Sequence, residues 1–155
     1  MEIDIILNEF ASPQEAAELG LMAERYGMRG VWSSNYGWSR DPFMALTLLA
    51  HRSSRIRLGP MAVSPAELHP LKMAISLLSL NEIAKGRAQI VVGGGGGTAE
   101  AMQQKPKRMV RAVRECIEIL NMTARGEAGR YAGELYPISW LDTRWVTQPK
   151  PMIYA

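Results

Sequence analysis

One feature constrains the fold more than any other: short β-branched runs take turns with amphipathic stretches of helical period, four times in succession. That alternation is the pattern of a parallel α/β sheet, in which a helix follows each strand and crosses back over one face. Ile3–Leu7 reads as the first strand. Ser12-Pro13-Gln14-Glu15 then opens a helix with a capping box and a proline at its first position. Ala16, Leu19, Met22 and Tyr26 recur at helical spacing and are expected to face the sheet, with Gly27 as the stop. Gly30–Ser34 is the second strand, and Asp41-Pro42 opens a helix to about Arg52, with Phe43, Leu46, Leu49 and Ala50 inward. Ile56–Val63 is the third strand; Pro60 cannot donate to a ladder, which predicts a bend or bulge there. His69-Pro70 opens a helix that reaches Ala84 and stops at Gly86, and Arg87–Val92 is the fourth strand. A helix over Lys107–Ala124 presents Met109, Val113, Ile117 and Leu120 on one face. Residues 126–147 read as a polar, aromatic, irregular connection, and Met152–Ala155 as the opening of a fifth strand.

Composition removes several function classes. The 155 residues amount to one domain, able to bury a core without staples. The single cysteine, Cys116, excludes an internal disulfide and a cysteine-cluster metal site, and reads as a buried structural thiol. His51 and His69 match no metal-ligand spacing. A net charge of +3, mostly scattered arginine without interleaved aromatics, predicts no nucleic-acid partner. The longest apolar runs fall far short of the roughly 20 residues of a membrane helix, and the start is acidic where a leader is basic. A cytoplasmic protein with no membrane partner is expected. The sequon Asn121-Met122-Thr123, inside a helix, is a chance match.

Gly93–Gly97, five glycines after a strand, lets backbone N–H groups come close to a ligand. The dinucleotide fingerprint anchored at Gly93 and Gly95 requires glycine where Thr98 stands, and Glu115 and Glu118, at the right distance for its acidic residue, lie in a helix. No phosphate-loop or nucleophile-elbow motif occurs. A flexible strand-to-helix turn and a close approach to a flat or phosphorylated ligand both remain open. Lys105, Lys107, Arg108, Arg111 and Arg114 form a basic stripe, read as a solvated helix face. His69 and Asp41 read as helix-start residues rather than a base and an acid.

An ordered set of segments resembles the luciferase-like superfamily of flavin monooxygenases and deazaflavin-dependent oxidoreductases. The segments are Ala23-Glu24-Arg25-Tyr26-Gly27 through Val31-Trp32, Arg40-Asp41-Pro42-Phe43, Ser54-Arg55-Ile56-Arg57-Leu58-Gly59, His69-Pro70, Lys85-Gly86-Arg87, the glycine run, Arg114-Glu115, Gly126-Glu127 and Pro151-Met152-Ile153-Tyr154. Together they cover almost the whole chain. The resemblance implies a TIM barrel with its cofactor, FMN or coenzyme F-420, at the C-terminal strand ends. A full barrel takes about 250 residues, so the expected fold is α/β, the N-terminal half of a (β/α)8 barrel as one partial domain over residues 1–155. It further implies a cis peptide at Met61–Ala62, which with Ser64 supports the ring, and an approach to the ring at Gly93, Gly94 and Gly95. Asn35 and Tyr36 stand where many relatives carry an Asp-His or His-His pair near the reactive edge. Asparagine does not titrate and tyrosine does so only near pH 10, which leaves this point without an ordinary acid–base group.

Three readings follow. The first is an oxidoreductase or monooxygenase acting on a small organic substrate, leaning to the deazaflavin branch on the third-strand and His69-Pro70 segments. The second is a non-catalytic homologue serving as a structural or dimerising subunit. The third and weakest is a small nucleotide-binding module built on the glycines. Half a barrel also has two open edges and an inner face, expected to carry Ile5, Val31, Ile56 and Val91. It is therefore expected to form a homo-oligomer or to pair with a complementing barrel half.

Overall fold

The computed structural model describes residues 2–104 and 107–155. Lys105, counted above in the basic stripe, lies outside the described residues. In chain order the elements are β1 (Asp4–Leu7), α1 (Pro13–Arg25), β2 (Gly30–Ser34), α2 (Pro42–Ala45), α3 (Thr47–Arg52), β3 (Arg57–Val63) and α4 (Pro70–Ile83). They continue with β4 (Gln89–Val92), α5 (Gly97–Ala101), α6 (Met109–Thr123), β5 (Ala128–Tyr131), β6 (Ile138–Asp142) and β7 (Met152–Tyr154). One sheet has the order β1-β2-β3-β4-β7, and every pairing in it is parallel.

The helix starts are where local chemistry puts them. Ser12 Oγ accepts the Glu15 N–H while the Glu15 carboxylate accepts the Ser12 N–H. Asp41 caps α2 through the N–H groups of Phe43 and Met44, and His69 Nδ1 accepts the Leu71 N–H at the start of α4. The helix read from Asp41 to Arg52 breaks at Leu46 into α2 and α3, with Phe43, Leu46, Leu49 and Ala50 all buried.

One helix turns a different face inward from the one its periodicity indicates, and another shifts its buried stripe while keeping most of the expected face against the core. In α1 the buried residues are Ala16, Ala17, Gly20, Ala23 and Glu24, while Leu19, Met22 and Tyr26 are exposed. The cause is close approach: a Cβ at Gly20 would lie 2.4 Å from Leu49 Cδ2, so α1 meets α3 along its small residues. In α6 the buried stripe is Ala112, Glu115, Cys116, Ile119, Leu120 and Thr123; of the expected face Leu120 is buried, Val113 and Ile117 pack half-buried against the core, and Met109 is exposed.

Residues in parallel register share a sheet face, which separates the two sides. Ile5, Leu7, Val31, Leu58, Ile90 and Val92 join the helices in the main core. The other side carries Asp4, Ile6, Trp32, Gln89, Val91 and Tyr154. Ile5 and Val31 therefore do not belong to the inner face, and Ile56 is buried in the core just before β3. That inner side is mixed rather than apolar. Asp4 accepts from Trp32 Nε1 at 2.9 Å and pairs with Arg29 at 2.7 Å, and Tyr154 meets the Trp32 ring edge-on at 5.9 Å.

Pro60 keeps its register with Ser33, and the irregularity in β3 falls later, between Met61 and Val63 against β4. The connection over 126–147 is not irregular: it holds an antiparallel hairpin, β5–β6, with Ile138 and Leu141 packed on Ile119. Two buried carboxylates pin loops to this frame. Glu24 accepts backbone N–H groups of Ser54, Arg55 and Ile56. Glu115 accepts those of Glu134, Leu135 and Tyr136 at 3.1, 2.9 and 3.0 Å. Both lie below the usual glutamate range; burial pushes each up, and the backbone donors outweigh it.

Candidate functional site

In a parallel sheet of this order the loops after the strands gather at the C-terminal strand ends. The loop after β2 brings Asn35 and Tyr36, the end of β3 brings Met61, Ala62 and Ser64, and the loop after β4 brings Gly93, Gly94 and Gly95. All of these residues line one concavity of about 260 Å³, together with Glu67, Gly96, Gly97 and Thr98. The Met61–Ala62 peptide is cis.

The floor is bare backbone. A Cβ at Gly93 would stand 3.0 Å from Ala62 Cβ, one at Gly94 would run into Met109 Sδ at 2.4 Å, and Gly95 has φ +100°. Asn35 joins two loops: its Nδ2 donates to the Ala62 carbonyl at 3.1 Å and to Glu67 Oε2 at 2.6 Å. Ser64 is buried, and its hydroxyl accepts the Ala66 N–H, so it shapes the loop after β3. Tyr36 stacks on Trp38 with ring centroids 5.2 Å apart and planes 6° from parallel, forming an aromatic wall at the rim.

Glu67, Trp38 and Thr98 escaped the sequence reading. Glu67 had a signal: it is an acidic residue in the loop after the third strand, two positions before the His69-Pro70 helix start. Asn35 and Tyr36 line the concavity, and Glu67 is its carboxylate, held above the usual range by burial against the opposing hydrogen bonds of Asn35 and Ser64.

The concavity is floored largely by peptide planes and glycines, with Ala62 Cβ and the Met109 side chain filling the space beside Gly93 and Gly94. An anionic tail is not matched, because no lysine or arginine lines the concavity among the described residues. A larger hollow of about 420 Å³ lies outside α1 among Phe10, Leu19 and Met22. Its carboxylates are already engaged, Glu15 in the capping box and Glu18 with Gln14. Cys116 is buried against Met73, 3.6 Å between sulfurs, and burial pushes its thiol up to about 12. Among the described residues no group of three or more His, Cys, Asp or Glu is arranged for a metal ion, and no helix is long and apolar enough to cross a membrane.

Residues 3–155 match the family model of luciferase-like monooxygenases. The chain belongs to that family. Among luciferase-like relatives it is 30% identical over 116 residues to the 5,10-methylenetetrahydromethanopterin reductase of Archaeoglobus fulgidus, covering 74% of this chain and 35% of that one. It is 26% identical over 152 residues to the oxygenase component of the flavin-dependent trigonelline monooxygenase of Acinetobacter baylyi, covering 91% and 42%. The coenzyme F-420-dependent tetrahydromethanopterin reductase of Methanopyrus kandleri superimposes with a TM-score of 0.84 at 25% identity, over 92% of this chain and 45% of that one. The chain thus spans between about a third and just under half the length of these luciferase-like relatives. Its fold is that of the N-terminal half of their barrel, with strands in sequential parallel order and the main helices on one face.

Proposed function

We propose that this chain carries the ring-binding part of a deazaflavin- or flavin-dependent oxidoreductase of the cytoplasm, acting on a small organic substrate. Coenzyme F-420 is favoured over FMN. The observation that carries the reading is the convergence of Asn35, Tyr36, Met61, Ala62, Ser64 and Gly93–Gly95 on one bare-floored concavity at the C-terminal strand ends. The likeness to two tetrahydromethanopterin-type reductases supports the deazaflavin side. Bound there, the cofactor supplies hydride or electron transfer at carbon. The chain supplies position: Met61 and Ala62 the shelf, Gly93–Gly95 the close approach, Asn35 the tie that holds the Ala62 carbonyl, and Tyr36 a wall. With no lysine or arginine among the described lining residues, this reading leaves the tail of the cofactor to other residues, of a complementing barrel half or of a second copy.

Binding of coenzyme F-420, FMN and riboflavin, followed by absorbance and fluorescence, tests this. F-420 is expected to bind most tightly, and riboflavin about as well as FMN, since these residues do not grip the phosphate. Gly96→Leu is the test variant: Gly96 lines the concavity, and a Cβ there meets nothing within 4 Å, so the backbone admits the added side chain. Ring binding that survives Gly96→Leu unchanged refutes the site. A protein that binds none of the three favours the non-catalytic subunit, a reading supported by the missing titratable pair at Asn35 and Tyr36.

A further inference from the structure

The loop after β2 offers no ordinary acid–base group, but one reaches the same place from the loop after β3. The Glu67 carboxyl is half-buried on the concavity, 2.6 Å from Asn35 Nδ2. The second Asn35 amide proton goes to the Ala62 carbonyl at 3.1 Å. One side chain therefore links the carboxyl to the shelf peptide. Among the described residues Glu67 forms no ion pair. The titratable groups around it are Tyr36 on the loop after β2, His69 two residues along its own loop, and Tyr136 of the hairpin loop. Tyr136 meets the His69 ring edge-on at 5.6 Å and donates to the Pro65 carbonyl at 3.3 Å. The glycine loop after β4 contributes Thr98 and bare backbone.

A half-buried carboxylate without a cation, facing peptide planes, is an expensive charge, whereas the neutral acid adds an O–H donor to the same surface. The pyrimidine edge of flavin and deazaflavin rings presents two carbonyl oxygens and N1 as acceptors, with N3–H as the single donor between the carbonyls. We propose that Glu67 is the proton-holding residue of this site and that its ionisation sets the pH dependence of ring binding. This rests on the ring-binding reading above. Protonated, Glu67 donates to the ring and leaves Asn35 on the Ala62 carbonyl. Ionised, it loses its donor and sets a charge beside an electron-rich edge. The burial that holds this carboxyl above the ordinary glutamate range places the transition nearer neutrality.

Two measurements decide it. In the first, binding of FMN and of coenzyme F-420 is titrated from about pH 4 to pH 9, spanning the glutamate and histidine ranges. Affinity is expected to fall about tenfold per pH unit above the Glu67 transition, as one linked proton requires. Glu67→Gln, which keeps a donor and cannot ionise, is expected to flatten the profile, and His69→Asn, which keeps a cap acceptor, to leave it as in the parent. A Glu67→Gln profile identical to the parent's, or a slope removed by His69→Asn, overturns the proposal. In the second, the Asn35 side-chain amide signals are followed by NMR without any ring. They are expected to titrate above the usual glutamate range in the parent and not in Glu67→Gln; amide signals that stay still overturn the proposal outright. If neither ring binds at any pH, the ring-binding reading fails. That failure is recognisable because the amide titration still assigns the proton to Glu67.

Discussion

Replacing Glu115 by alanine should loosen the whole approach to the site. The carboxylate is 2% exposed in α6 and accepts three backbone N–H groups of the loop between β5 and β6. Gly133 lets that loop come in, since a Cβ there would lie 2.6 Å from Glu115 Oε2. Removing the carboxylate leaves the exposed Glu134 N–H to water at little cost. The half-buried Leu135 and Tyr136 donors lose a charged acceptor, at about 1.5 kcal/mol each. The Arg111 contact is long, at 3.7 Å, and its guanidinium is partly exposed to solvent, so it adds a few tenths. The expected loss is therefore about 3 kcal/mol, which for a chain of this size is a fall in Tm of roughly 6–12 °C. Glu115→Gln keeps one acceptor and should lose about half as much. The sign with pH is set by a folded-state pKa below the unfolded one: the stabilisation is present above the ordinary glutamate range and disappears as pH falls through the folded value. Urea unfolding gives the stability, and amide exchange at residues 134–136 locates it. A loss under about 1 kcal/mol with unchanged exchange at those three amides would refute the anchor.

Gly59→Ala should be far more damaging, because its Cβ would fall 1.6 Å from the Gln89 carbonyl oxygen, so β3 and β4 must part. A loss above about 4 kcal/mol is expected, read as absent near-UV dichroism, and a folded variant within about 1 kcal/mol of the parent contradicts the packing. Glu67→Gln should stabilise the protein at pH 8. The Glu67 carboxyl is raised on folding, so its ionised form costs stability above the unfolded pKa, and the gain should vanish near pH 4; equal unfolding curves at pH 8 count against it. Cys116, buried with its thiol pushed up to about 12, should be inert to a thiol reagent until the protein unfolds; prompt modification of the folded chain contradicts that burial.

The strands and the helix starts were legible because each depends on neighbours in sequence, whereas the grouping of Asn35, Met61 and Gly93 came from the family resemblance. Ser12, Asp41 and His69 cap the helices they precede, and Asn35, Met61 and Gly93 are placed by being at consecutive strand ends. The inward face of α1 was not, because two stripes fit its period. The choice between Leu19–Met22 and Ala16–Gly20–Ala23 is made by Leu49, on another helix. The hairpin was hidden for the same kind of reason. Ala128-Gly129-Arg130-Tyr131 has no β-branched run, and its loop is held by Glu115, 19 to 21 residues earlier. Glu67 belongs to no spacing motif; only the fold brings it to Asn35.

The two buried carboxylates also have an order in time. Glu24 precedes the first backbone group it holds by 30 residues, and Glu115 precedes its first by 19. A chain leaves the ribosome N-terminus first, at about 5–20 residues per second. Each acceptor thus emerges roughly 1–6 s before its donors. In both cases the catch is in place before the segment it is to catch has been made, so each loop can be captured in the sequence in which translation delivers it.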